Sequence, residues 1–238
     1  MGTGTRIEIT PSEQVTAIPY PAPARSRLPV SLILAHGAGA NQASAFMVQF
    51  ATALAARGIG TLTFNFLYSE TGRRLPDRND RLEACYRKVI QAFHEGAFDK
   101  SLGRGSLVIG GKSMGGRIAS QVAAGGEEVA GLVFLGYPLH PPGRPEQRRD
   151  KHLPAIRAPM LFVQGARDAF GTPEELGPVL HRLQAAAELC VVADGDHSFK
   201  VPKRGGRSQA QVYGFALDAI ERWLRERVLG PRIRPATA

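Results

Sequence analysis

Residues 106–121, SLVIGGKSMGGRIASQ, contain the pattern that decides the fold of this chain. The apolar run at 107–109 predicts a buried strand, and the glycine-rich stretch after it predicts a sharp turn. From Arg117 onward the sequence is helical in character. A strand, a turn and a helix around Gly111, Ser113 and Gly115 give the G-x-S-x-G pattern typical of a nucleophile elbow, in which the serine is exposed at the apex.

The two glycines that flank Ser113 have a physical reason in such an elbow. Strand and helix approach closely there, so a side chain two residues before or after the serine would clash with the backbone. The apex residue takes a strained conformation, which usually occurs at a working site. The alternative interpretation is a glycine-rich turn that binds nothing, or one that binds a phosphate.

Short apolar runs and helical segments alternate along the rest of the chain, which is typical of an α/β fold. Continuous apolar strands suit a parallel sheet covered by helices on both faces. Strands are predicted at 6–10 and 14–17 (a hairpin), 30–35, 60–65, 129–135, 160–164 and 189–192, and helices at 43–57, 81–95 and 208–229. We expect one domain over 1–238, with a core at about 7–228 and a flexible tail at 230–238.

A second glycine-rich turn, His36-Gly37-Ala38-Gly39-Ala40, directly follows the strand predicted at 30–35. A turn of this kind presents free backbone N–H groups, and one of them can hold an oxyanion together with the N–H of the residue after the nucleophile. The two donors would be about Ala38 and Met114. His36 is expected to brace the loop.

Other residues at strand ends are candidates for a pocket, since ligands of open α/β sheets bind beyond the carboxyl ends of the strands. Packing is an equally good interpretation for the residues that follow the strand at 60–65. The pocket candidates are His36, Gly37, Asn65, Phe66 and Tyr137. The polar, basic segment 71–80 is predicted to be an exposed loop.

Asp168 and His197 complete a catalytic constellation with Ser113. Asp168 follows the strand at 160–164, and His197 follows the strand at 189–192 in the sequence DGDHSF. The chain order Ser, Asp, His is typical of α/β hydrolases and differs from the chymotrypsin and subtilisin orders. The residues predict acyl transfer to water, in which Ser113 attacks, His197 carries the proton and Asp168 orients the imidazole.

Each partner of the serine also has a structural alternative. Asp168 could be a turn or N-cap aspartate, because a helix is predicted to begin near Thr172. Asp194, Asp196 and His197 could bind a metal, but no second histidine pair supports this. We therefore predict neither a metal nor a cofactor. The 138–159 segment has room for one short helix, so we expect a minimal lid and an open site.

The charge, the apolar runs and the cysteines of the chain make several kinds of partner and location less favoured. The net charge is +9. The basic residues are scattered except for clusters at 144–151, at 200–207 and in the C-terminal helix and tail. No helix-turn-helix, zinc-finger or aromatic–basic motif accompanies them, so nucleic acid is not favoured as a partner. No apolar run is long enough to span a bilayer, and the N-terminal sequence does not resemble a signal peptide, so we expect a cytoplasmic protein without a membrane partner. Cys85 and Cys190 are expected to be core residues.

Taken together, HGAGA, GGKSMGGRIAS, GARD and GDHSF resemble the α/β-hydrolase superfamily, and especially its small, lidless, dienelactone-hydrolase-like members. With LGYPLHPPGRPEQRR and FVQGARDAFGT they resemble the family of the testis-expressed Tex-type protein and a subunit of the NSL histone-acetyltransferase complex. The resemblance implies an eight-stranded, mostly parallel sheet and the triad Ser113, Asp168 and His197. Dienelactone hydrolases proper use a cysteine nucleophile, so their substrate is not carried over.

Two functions follow from these observations. The first is a serine hydrolase of small carboxylic esters or thioesters (EC 3.1.1), monomeric or homodimeric. The second is a non-catalytic interaction protein or complex subunit with the same fold, which the basic surface and the proline-rich segment 138–145 mildly favour. The intact Ser113, Asp168 and His197 favour the enzyme, because a scaffold does not need them. A peptidase is less favoured, since no propeller or lid domain is present to select peptides.

Overall fold

The computed structural model describes residues 4–102, 105–202 and 206–230. The tail predicted to be flexible lies outside these ranges from residue 231 onward. The strands are β1 Thr5–Thr10, β2 Glu13–Tyr20, β3 Val30–Ala35, β4 Gly60–Phe64, β5 Ser106–Lys112, β6 Gly131–Leu135, β7 Met160–Gly165 and β8 Ala187–Val192. The helices are α1 Ala45–Ala56, α2 Leu67–Glu70, α3 Asn79–His94, α4 Asp99–Leu102, α5 Met114–Ala124, α6 Pro173–Leu180 and α7 Gln209–Trp223.

The strands form one eight-stranded sheet in the order β1-β2-β4-β3-β5-β6-β7-β8. Strand β2 pairs antiparallel with β1 and with β4, and the remaining neighbours are parallel. The predicted eight-stranded, mostly parallel sheet is therefore confirmed. Because β3, β5, β7 and β8 run in the same direction, the loops that follow them meet at one edge of the sheet.

Helices cover both faces of the sheet, as predicted. Alternate residues of each central strand point to opposite faces, so Ile33 belongs to one apolar cluster and Leu34 to the other. The first cluster contains side chains of α3, α5 and α6, and the second contains side chains of α1 and α7. The central strands are buried throughout because each is covered twice.

No multi-helix lid is present in the segment between β6 and β7. Within residues 136–159 the chain forms turns and a single 3-10 turn at Leu153–Ala155. The prediction of a minimal or absent lid is therefore confirmed. Separately, none of the helices in the described part of the chain is both long and apolar enough to cross a membrane.

Several local predictions differ from the structure. Helix α3 begins at Asn79 inside the segment predicted as a loop, and α7 passes into a π-helical turn at Leu224–Val228. Phe215 in α7 is a large apolar residue that is 44% exposed. Cys85 is buried, but Cys190 is only half-buried because β8 is an edge strand.

Glycine at position 110 allows the central strands and α3 to meet. The Tyr86 hydroxyl from α3 lies 2.8 Å from the Gly110 carbonyl oxygen and 2.9 Å from that of Ile33, and it accepts from the Gly110 N–H at 3.1 Å. On the other side, a Cβ added to Gly110 would lie 1.9 Å from the Val133 carbonyl oxygen. The Val133 backbone and the fully buried Tyr86 side chain therefore flank Gly110, and neither can move easily to make room for a methyl group.

Gly110→Ala should therefore lower the free energy of unfolding by about 2–3 kcal/mol or more, because the added methyl overpacks the sheet. Gly214→Ala is the matched control, since a Cβ at Gly214 in α7 meets no atom within 4 Å. Removing glycine from a helix should raise stability by about 0.5–1 kcal/mol. Chemical denaturation measures both variants, and equal stabilities would contradict this account of the sheet.

Candidate active site

Ser113 occupies the turn between β5 and α5 in a strained conformation. Its φ is 51° and its ψ is −117°, in a region that residues other than glycine rarely adopt. A Cβ on Gly111 and a Cβ on Gly115 would each lie 2.3 Å from the same atom, the carbonyl oxygen of Ala35. The close approach of β3, β5 and α5 thus requires glycine on both sides of the serine, and it presents Ser113 at the carboxyl edge of the sheet.

The structure brings Ser113, His197 and Asp168 together in one line of hydrogen bonds. Ser113 Oγ lies 2.8 Å from His197 Nε2, and His197 Nδ1 lies 2.7 Å and 2.9 Å from the two carboxylate oxygens of Asp168. A carboxylate only accepts, so Nδ1 carries the proton and Nε2 is free to accept from the serine hydroxyl. Asp168 is fully buried, whereas the His197 side chain is 21% exposed.

Two groups that sequence reasoning missed hold the Asp168 carboxylate. Gln164 Nε2 donates to Oδ2 at 2.8 Å, and the Phe170 N–H donates to Oδ1 at 2.9 Å. Gln164 is itself fixed, because its Oε1 accepts from the Tyr137 N–H at 2.8 Å. A buried polar residue near the end of the otherwise apolar strand β7 is the signal in the sequence that points to it.

The loop that carries His197 is packed closely against the loop that carries Asp168. A Cβ on Gly165 would lie 2.3 Å from the Asp196 carbonyl oxygen, and the Arg167 N–H donates to the Gly195 carbonyl at 2.8 Å. The His197 ring stacks on the Phe170 ring, with 4.1 Å between centroids and 27° between planes. These contacts fix the position of the imidazole between the acid and the serine.

Asp196, part of the alternative metal site, has a different role in the loop. Its Oδ1 accepts from the N–H groups of Ser198 at 2.8 Å and Lys200 at 2.9 Å, and so closes the turn behind His197. Asp194 has a positive φ of 56°, which Asp and Asn tolerate better than most residues. Across the residues that the structure describes, no group of three or more His, Cys, Asp or Glu side chains could hold a metal ion.

The glycine-rich loop after β3 lies beside the elbow. A Cβ on Gly37 would lie 3.6 Å from Ser113 Cβ, and both Ala38 and Met114 line the cleft around the serine. Met114 is the first residue of α5, so its N–H has no acceptor within the helix and lies at the positive end of the helix dipole. The predicted oxyanion donors therefore belong to the loop after β3 and to the first turn of α5, both next to Ser113.

His36 lies beneath this loop and braces it. Its Nε2 accepts from the Phe66 N–H at 3.2 Å, so Nδ1 carries the proton and donates to the Gly37 carbonyl at 2.9 Å. The ring is fully buried between the edges of Phe66 and Tyr68. Burial lowers the pKa of His36 to about 4, although the Gly37 hydrogen bond opposes this shift. His36 is thus neutral at pH 7.

Four of the five pocket candidates lie under the cleft wall and do not form it; Gly37 is the one that lines the cleft. His36 and Phe66 are buried against each other, and Asn65 bonds to Gln42 and Glu70. Tyr137 is fully buried, and its hydroxyl donates to the Arg149 carbonyl at 2.8 Å. The expected pocket is corrected accordingly: these strand-end residues support the loops that the substrate would touch.

The cleft around Ser113 has a volume of about 740 Å³. Its wall comes from the loop after β3, the start of α1, the loop before α3, the elbow, and the loops after β6, β7 and β8. Lys112, next to the serine, also contributes, with its Nζ 5.9 Å from the centre of the Phe46 ring. Burial lowers the pKa of Lys112 to about 8, while the charges of Asp168 and Asp196 oppose this shift.

Comparison with known proteins agrees with this geometry. A family model described as an alpha/beta hydrolase domain matches residues 29–225. A lidless α/β serine hydrolase from Xanthomonas campestris has 20% sequence identity and a TM-score of 0.71, over 99% of this chain and 96% of that one. The dienelactone hydrolase from Anabaena variabilis has 18% identity and a TM-score of 0.71, over 96% and 98% of the two chains.

An α/β serine hydrolase homologue from Coxiella burnetii is similar to the same degree, with 18% identity and a TM-score of 0.71 over 94% of this chain and 98% of that one. At such identities the structures establish the fold, and the family model establishes the family. Both agree with the α/β fold described above, and the Xanthomonas campestris protein is likewise without a lid. The chain therefore belongs to the α/β-hydrolase family and has the fold of its lidless, dienelactone-hydrolase-like members.

Proposed function

We propose that this protein is a serine hydrolase that cleaves small carboxylic esters or thioesters through an acyl-serine intermediate, an EC 3.1.1 activity where the bond is an ester. The observation that carries the proposal is the line of hydrogen bonds from Ser113 Oγ through His197 to the buried Asp168. A serine hydroxyl is a weak nucleophile at neutral pH, and an adjacent, oriented base is what activates it.

In the first half of the reaction, Ser113 Oγ attacks the acyl carbon while His197 Nε2 takes the hydroxyl proton. Asp168 keeps Nδ1 protonated and stabilises the imidazolium that forms. The N–H groups of Met114 and Ala38 donate to the oxyanion of the tetrahedral intermediate, where one such donor is worth about 3–4 kcal/mol. The intermediate then collapses, and His197 gives its proton to the departing alcohol or thiol.

In the second half, water replaces the leaving group beside His197. The imidazole takes a proton from the water, whose oxygen attacks the acyl carbon, and the same two N–H groups hold the oxyanion again. Collapse releases the carboxylic acid and returns the proton to Ser113. The scheme uses no metal and no cofactor.

An open cleft of about 740 Å³ without a lid supports small-molecule substrates. The likeness to the Tex-type and NSL-subunit family, a cytoplasmic location and a monomeric or homodimeric state remain predictions from the sequence. A protein partner belongs to the alternative function, in which the protein is a non-catalytic interaction protein or complex subunit.

Ser113→Ala should lower kcat for short 4-nitrophenyl esters by about 10⁴-fold or more, because the nucleophile is lost. Ser120→Ala is the matched control. Ser120 lies in the same helix, and its Oγ is 2.7 Å from His152 Nε2, but it is fully buried. This second serine–histidine pair cannot meet a substrate, so its loss should leave most of the turnover. Turnover that survives Ser113→Ala in a folded protein would refute the assignment.

Asp168→Asn should lower kcat by about 10³–10⁴-fold with little change in KM, since an amide does not stabilise the productive imidazole tautomer. Asp194→Asn is the control on the neighbouring loop, because asparagine tolerates the positive φ that Asp194 adopts. Steady-state kinetics of both variants provide the comparison. An unchanged rate in Asp168→Asn would place the catalytic acid elsewhere.

Treatment with excess EDTA followed by dialysis should leave kcat/KM unchanged, because every proton transfer in the scheme is made by Ser113, His197 or water. The alternative metal site at Asp194, Asp196 and His197 makes the opposite prediction. Loss of activity on chelation, with recovery on addition of a divalent metal, would support that alternative.

A further inference from the structure

Two arginines line the cleft that contains Ser113. Arg117 comes from α5, one helical turn after the serine, and Arg149 comes from the loop between β6 and β7. Both side chains are half-buried. The triad chemistry proposed above assigns no role to either of them.

Arg117 is oriented by hydrogen bonds to neutral groups and not by an ion pair. Its Nη1 donates to the Gln121 amide oxygen at 3.3 Å, and its Nη2 donates to that of Asn79 at 3.1 Å. Its Nε is buried and has no acceptor among the described residues. Amide oxygens can fix the plane of a guanidinium, but they carry no charge to neutralise it. Arg117 is thus a positioned cation.

Arg149 adds a second positive charge beside the first. Burial is the main cause that lowers the pKa of Arg117, and the charge of Arg149 is the next. Tyr137 and Glu83 act in the opposite direction with smaller effects. Two like charges brought together in a partly desolvated cleft destabilise each other unless an anion lies between them.

Asp77, on the cleft wall, and Asp150, next to Arg149 in the chain, are each paired with another arginine, although Asp77 Oδ2 is buried without a hydrogen-bond partner among the described residues. Asp77, which also lines the cleft, accepts from Arg73 Nη2 at 2.8 Å, and Asp150 accepts from Arg148 Nη2 at 2.8 Å. Over residues 4–102, 105–202 and 206–230, no ion pair within 4.0 Å joins Arg117 or Arg149 to a carboxylate. Neither arginine therefore has an ion-pair partner among the described residues, and the anionic group of a bound substrate would supply one.

Lys112 and Lys200 line the same cleft, so the field in it favours negative charge. A guanidinium presents a planar set of N–H donors that matches the oxygens of a carboxylate or a phosphate. We infer that Arg117 and Arg149 form an anion subsite, and that the substrates are esters or thioesters carrying a second, negatively charged group, a carboxylate or a phosphate. This inference rests on the proposed function, because it assigns a substrate class to the same cleft.

The kinetic test compares charged esters with neutral counterparts of similar shape. On the acyl side, mono-4-nitrophenyl glutarate is compared with 4-nitrophenyl butyrate. On the leaving-group side, 4-acetoxybenzoate and 4-acetoxyphenyl phosphate are compared with phenyl acetate. We expect kcat/KM to favour at least one charged ester by about tenfold or more, the usual effect of a charged hydrogen bond. Ratios near one for all three charged esters would overturn the inference.

Substitutions of the two arginines test whether they cause the preference for charged esters. Arg117→Gln and Arg149→Gln should each bring the charged-to-neutral ratio of kcat/KM down toward one. Arg157→Gln is the matched control, since Arg157 is exposed and does not line the cleft, and it should keep the ratio of the original protein. Because the readout is a ratio, a general loss of activity in a variant does not imitate the expected result. A ratio unchanged in both cleft variants would contradict the subsite.

A binding experiment separates this inference from the proposed function. Isothermal titration of the Ser113→Ala protein with glutarate and with inorganic phosphate measures the anion subsite without turnover. Binding of either anion that is lost in Ser113→Ala combined with Arg117→Gln supports the subsite, and the anion that binds identifies the chemical class. Absence of binding by both would overturn it. If no ester is hydrolysed but an anion binds, the proposed function fails and the subsite stands.

Discussion

The geometry around Ser113 depends on one steric constraint: the Ala35 carbonyl oxygen lies close to where both Gly111 and Gly115 would carry a Cβ. Strand β3, strand β5 and helix α5 can approach this closely only because both residues are glycines. The approach forces Ser113 into a conformation with positive φ and points it away from the sheet. It also places the first amide of α5 beside the loop of Gly37, so one packing contact arranges the proposed nucleophile and the proposed oxyanion donors.

A second close approach positions the base. Gly165 lets the Asp168 loop lie against the Asp196 backbone, and Phe170 both donates to the acid and stacks on His197. The Gln164 side chain fixes the acid from below. The imidazole is therefore held by the packing of the loop after β8 against the loop after β7 and by its hydrogen bonds to Asp168. The proposed reaction at Ser113 requires pre-organisation of this kind, because a serine hydroxyl is a weak nucleophile.

The sequence alone predicted the sheet, its layers and the three residues in hydrogen-bond contact, because each has a local signal: glycines around Ser113, and polar residues after apolar strands for Asp168 and His197. Groups defined by tertiary contact were not predictable in this way. Phe170 has no pattern of its own, and Arg117 is indistinguishable from a surface arginine until the neighbouring loops are placed. A position just after a strand also did not show whether a residue lines the cleft or supports the residues that line it. His36 and Asn65 both follow strands, but neither lines the cleft.

The most direct test of the central claim is labelling with a fluorophosphonate probe, followed by mass mapping of the adduct. Such a probe reacts with a serine that a neighbouring base activates. The account predicts a single adduct on Ser113, absent in His197→Ala although that variant stays folded. An adduct on another serine would contradict the assignment of Ser113. No labelling of the folded protein would contradict the central claim and favour the interaction role for this fold.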